Sequence, residues 1–203
     1  MTTHDVVAVI AVALTVVFAW PQVFRVLRHG IDGISVGAIT LSMVGAAAWL
    51  GYGIARGLAP VIVANSGVLT GQLVVTFELM RKGALPKGRA AGAVAVAAAL
   101  LGLSQVMALT DVIVAAAGLV AIASLVAQLV EVAREPHRLE GLSASTYAIL
   151  TSVGASWITY GILEHDGVII VTNLIAVPMA AYIAFAASRS HHELDAVHAQ
   201  LDG

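Results

Sequence analysis

Two pairs of side chains stand out by type and spacing: Trp49 with Asn65, and Trp157 with Asn173. An indole face packs on the C–H face of a pyranose, while a carboxamide both donates hydrogen bonds to hydroxyls and accepts them. The pattern suits a small neutral sugar, which needs no charge around it. A second set combines rings and charge. Tyr52 and Arg56 are four residues apart, as are Tyr160 and Glu164, so each pair shares one face of a helix. Arg56 and Glu164 differ in sign, which predicts an outer gate in which Arg56 approaches Glu164, or Asp166, above the two tyrosines. A wet ion pair contributes only about 0–1 kcal/mol, small enough for a gate that must reopen.

Composition says what scaffold must position these residues. Of 203 residues, 60% are apolar before the 19 glycines are counted, and only 11% are charged; ordinary soluble domains carry about 25% charge. The excess is gathered into seven runs that can cross a bilayer, at residues 6–24, 34–54, 61–79, 90–109, 112–132, 142–163 and 168–187. An all-α polytopic membrane protein follows. The start, Met1-Thr2-Thr3-His4-Asp5, lacks the basic flank of a secretory signal, so the first run is read as a retained helix. Nine of the ten Lys and Arg fall on the face shared by the loops after helices 1, 3 and 5 and the C-terminal tail, leaving Arg56 on the other. The positive-inside rule makes the basic face cytoplasmic and puts the N-terminus outside a plasma or inner membrane.

Trp49 then lies about five residues before the outer end of helix 2, and Asn65 about five after the outer start of helix 3. Both sit roughly 7–8 Å inside the outer boundary. Gln72, seven residues after Asn65, falls on nearly the same helical face and extends it inward. Taken singly, such a tryptophan is often an interfacial anchor and such an asparagine interhelical glue. Recurrence of the whole pattern favours a shared cavity.

That recurrence is an internal repeat. A shift of 108 residues lays Gly33, Ser35, Ala47, Trp49, Tyr52, Gly53, Ile54, Ile62 and Asn65 on identical residues, Gly141 to Asn173. Upstream the offset is 106 and aligns Pro21-Gln22 with Ala127-Gln128. Three helices are an odd number, so two copies joined directly would point in opposite directions; helix 4, with no counterpart in either copy, restores parallel orientation. The expected division is a first repeat at 1–83, a linker helix at 84–110, a second repeat at 111–188 and a cytoplasmic tail at 189–203. Pro21 has no amide hydrogen and its ring clashes with the carbonyl of Val17, so helix 1 should kink there; Pro21, Gln22 and Gln128 are the candidate hinge residues.

Several chemistries are excluded. The chain has no cysteine, no His-Glu zinc motif, no Gly-x-Ser-x-Gly and no paired intramembrane aspartates, so no enzyme is expected. His191, His192 and His198 belong to a polar tail that reads as a solvated or frayed helix, and neither a metal nor a cofactor is expected. A net charge of −2 without a dense basic cluster argues against nucleic acid. Glu78 and Glu131 lie within a turn of the cytoplasmic ends and Asp111 in an outer loop, where all reach water, which favours uniport over proton symport.

Through Trp20-Pro21-Gln22, Trp49…Tyr52-Gly53 followed by Asn65, and Trp157…Tyr160-Gly161 followed by Asn173, the sequence resembles the SWEET and SemiSWEET transporters of the PQ-loop superfamily. In SWEETs the repeats run parallel and are related by an axis along the membrane normal. The resemblance implies three helices, a linker and three helices, and a facilitator moving mono- or disaccharides down their gradient by alternating access. It departs at Ala127, where the dipeptide's proline would stand, and in helices 2 and 6, which lack prolines found in many plant members. Alternatives within this resemblance are a PQ-loop carrier of another small, amino acid-like metabolite, or a sorting receptor; either would want a buried charge near the cavity. Expected partners are a neutral sugar and the lipid bilayer, with a homo-oligomer left open.

The topology is directly measurable because the chain has no native thiol. Thr3→Cys in intact cells is expected to react with an impermeant maleimide and Ala199→Cys only after permeabilisation; the reverse pattern refutes the assigned orientation.

Overall fold

The computed structural model describes residues 1–32, 34–134 and 143–201. Among them the chain forms seven helices and no strand: α1 (Thr3–His29), α2 (Val36–Arg56), α3 (Ala59–Arg81), α4 (Lys87–Leu103), α5 (Met107–Arg134), α6 (Ala144–Leu163) and α7 (Gly167–Leu201). By length and composition α1, α2, α3 and the 167–190 part of α7 can each cross a membrane. The chain divides into two compact units, Met1–Leu119 and Val120–Gly203.

In the first unit α3 lies between α1 and α2, and α4 packs on α2. Small residues allow these approaches. A Cβ at Gly71 would stand 3.0 Å from Val23, drawing α3 onto α1. On α2, Ala46, Ala47 and Ala48 are buried, and Met43 and Ala47 form a core with Ala97 of α4. Apolar packing of Val23, Val26, Ile39, Val75 and Leu79 fills the end near the α1–α2 connector. In the second unit α6 packs on α7, and Val132 of α5 is buried against Ile183 of α7.

The α4–α5 boundary differs from the sequence expectation of 90–109 and 112–132. Helix α4 starts earlier because Pro86 sets its N-cap, and it stops at Leu103. Polar side chains hold the break. The buried Thr110 hydroxyl donates to the Ser104 carbonyl at 2.7 Å, and the Gln105 carboxamide donates to the carbonyls of Leu101 and, across to α2, Gly51 at 3.0 and 3.2 Å. Apolar periodicity runs through this stretch, so only the network reveals the turn. Asp111 consequently lies on α5, one turn past its start, and not in a loop. At the other end, α7 continues as helix to Leu201 with no break where the tail was expected to begin.

Gly51 marks the closest approach of α2 to this junction: a Cβ there would overlap Ser104, whose side chain is fully buried. Gly51→Ala is therefore expected to cost about 1–3 kcal/mol, seen as a lower melting temperature in detergent. Ser104→Gly in the same chain should recover most of the loss; a double variant as unstable as the single one would place the strain elsewhere.

Candidate substrate-binding site

Each unit builds the same local structure around its tryptophan and asparagine. In the first, Ser35 caps α2 by accepting from the Ala38 amide at 3.2 Å; in the second, Ser143 caps α6 by accepting from Thr146 at 3.2 Å. Each of these helices ends in a tight turn. The Leu58 amide donates to the Gly53 carbonyl and the Asp166 amide to the Gly161 carbonyl, both at 2.8 Å. The turn needs one left-handed residue, Gly57 at φ 70° in one copy and His165 at φ 57° in the other. Beside it, a Cβ on Gly53 would stand 3.1 Å from Ile62, and one on Gly161 would stand 3.0 Å from Ile170. The paired helices thus lie in contact right up to the turn.

The candidate site side chains flank this staple. Trp49 meets Tyr52 edge to face at 5.7 Å between centroids, and Trp157 meets Tyr160 likewise at 5.5 Å. Tyr52 and Tyr160 are fully buried, so each tryptophan leans on an immobile ring. Asn65 donates through Nδ2 to the Val61 carbonyl and Asn173 to the Ile169 carbonyl, both at 2.9 Å. That bond commits one amide hydrogen of each carboxamide to its own helix, and Asn173 Oδ1 lies beside Gly154 of α6, 3.5 Å from where a Cβ there would stand. Both asparagines are partly buried. Gln72, two turns along α3, is only 6% exposed, and its Oε1 has no hydrogen-bond partner among the described residues.

Each expected gate residue has a partner inside its own unit. The Tyr160 hydroxyl donates to Glu164 Oε1 at 3.0 Å. Asp166 Oδ1 accepts from the amides of Val168 and Ile169, both at 3.0 Å, and so caps α7. The Arg56 guanidinium lies 5.7 Å from the centre of the Tyr52 ring and donates to both oxygens of Asp111, at 2.6 and 2.8 Å. Asp111 is the residue that sequence reasoning missed. The available signal was that Arg56 and Asp111 follow helices 2 and 4 and therefore belong to one face. Of the hinge residues, Pro21 and Gln22 are exposed on α1, which stays helical through the proline. Gln128 lies on α5, its side chain outside the described ones.

No protein-family model and no curated protein sequence matches the chain. Among solved structures it is similar to a eukaryotic SWEET transporter determined at 3.7 Å, with a TM-score of 0.75, over 94% of this chain and 100% of that one, at 17% identity. The chain has a SWEET-like fold. At that identity the likeness concerns the path of the backbone. With that fold and helices long and apolar enough to cross a bilayer, the chain is a helical membrane protein.

The Arg56–Asp111 pair has side chains 47% and 53% exposed, so water screens it. A double-mutant cycle with Arg56→Ala and Asp111→Ala, read by thermal unfolding in detergent, is expected to give a coupling of about 0.5–1 kcal/mol, the upper part of the exposed range because both oxygens are engaged. Strictly additive single effects would mean the contact does not form in solution.

Proposed function

We propose that the chain is a facilitator for a neutral mono- or disaccharide, working by alternating access as a uniporter. One observation carries the reading: each unit sets an indole edge-on to a buried tyrosine and, on the adjoining helix, a carboxamide that spends only one amide hydrogen on its own helix. Two such sets offer apolar faces for a sugar ring and acceptors for its hydroxyls without any charge. The SWEET-like fold, shared with a transporter, supports a transport role.

In this reading Trp49, Asn65, Trp157 and Asn173 bind the substrate together, α4 joins two three-helix repeats, and the N-terminus is outside. Closure on the outer side brings Arg56 towards Glu164, which requires Arg56 to loosen its hold on Asp111. Pro21 and Gln22 supply the bend in the first repeat, with Gln128 in the corresponding place in the second.

Uptake of a panel of labelled sugars into proteoliposomes tests this. At least one sugar should equilibrate without a proton gradient, and Asn65→Ala or Asn173→Ala should abolish its uptake while folded yield stays near that of the parent. Normal transport by both single variants would disprove the binding assignment, and a parent that moves no sugar but moves an amino acid would replace the substrate class.

A further inference from the structure

Helix α4 has a feature that substrate binding does not use. Between α2 and α4 the first unit carries a groove of about 310 Å³, walled by Val36 and Val44 on one side and Gly92 and Val96 on the other, with Leu85 at its foot and Arg89 at its mouth. From Val36 to Val44 the wall is eight residues, or about 12 Å of helix. The groove therefore starts at the helix termini and runs into the apolar part of the unit.

Its mouth is basic. Arg81, Lys82, Lys87 and Arg89 fall within nine residues. Arg81 is engaged by Glu78 at 2.8 Å, whereas Lys82, Lys87 and Arg89 have no acidic partner among the described residues. The N-terminus of α4 opens at the same place, and no side chain caps it, so its first-turn amides add positive potential. Gly92 adds no side chain to the groove's wall. A Cβ there would meet nothing within 4 Å, so the space beside it is open.

We infer that this groove is a binding site for one anionic phospholipid, an acyl chain lying between α2 and α4 and its phosphate at Arg89. The two ends of the site match the two ends of that molecule. A purely apolar occupant would leave Arg89 unmatched, while a free phosphate would leave the groove unfilled. Basic pockets between membrane helices bind anionic head groups in this way.

The full chain in detergent can be titrated with dioleoylphosphatidylglycerol or dioleoylphosphatidylcholine and read by native mass spectrometry. The anionic lipid is expected to bind one site roughly fivefold more tightly or better, the scale of one cation near a membrane surface. Arg89→Gln should bring the two lipids to within about twofold of each other. Gly92→Leu should weaken both by filling the groove. Val96→Phe, at a position 51% exposed, provides a second filling variant should the first fail to fold. Soluble glycerol 3-phosphate should displace neither lipid. Equal binding of the two lipids by the parent, unchanged affinity in a folded filling variant, or displacement by glycerol 3-phosphate would each overturn the site.

Discussion

A hydrocarbon interior offers no hydrogen-bond partner, so every polar group carried into it must be answered from within the chain. The arrangement of this protein follows from that demand. Hydroxyls turn back onto their own helices: Thr15 to Ala11, Thr70 to Ser66, Thr151 to Tyr147, Ser152 to Ala148, Thr159 to Ala155 and Thr172 to Val168, all between 2.7 and 3.0 Å. The two asparagines do the same with one hydrogen and keep the acceptor oxygen. Gln72 is the exception, a buried carboxamide oxygen with no partner among the described residues and, at the repeat offset, only Ala180 as its counterpart.

The two units reach one local geometry through different residues. Where the first uses Gly57 in the left-handed region, the second tolerates His165 there, at a cost of roughly 1–2 kcal/mol for a residue with a Cβ. At the start of α3, Pro60 stands near the N-terminus and no side chain caps it, whereas Asp166 caps α7 with its carboxylate. Arg56 lies over a tyrosine ring and Glu164 accepts from a tyrosine hydroxyl. What persists is the packing constraint: a glycine against an isoleucine, and a carbonyl that must receive the amide five residues on. Residues outside that constraint were free to diverge.

The seven helices and the repeat were legible in the sequence because both depend on local spacing. Apolar runs set the helices, and Trp49, Tyr52, Gly53 and Asn65 recur as a block, since a short turn ties them together. The position of the α4–α5 break was not legible: it was expected at 110–111 and falls between Leu103 and Met107. It rests on Thr110, Gln105 and Gly51, one of which is more than fifty positions away in the chain, and a hydropathy window averages such residues into their neighbours. The same error hid Asp111, whose place on a helix, within reach of Arg56, depends on where α5 begins. The order α1, α3, α2 across the first unit was equally hidden, being decided by which small residues meet across helices.

The turn that joins α2 to α3, and its twin between α6 and α7, has a mechanical meaning. Each helix pair is joined by a backbone hydrogen bond at 2.8 Å and by a glycine against which a methyl would be tight. Its indole and its carboxamide sit on the two arms of the pair. The spacing between indole and carboxamide is therefore a property of the turn and its glycine, set inside each helix pair without help from the rest of the chain.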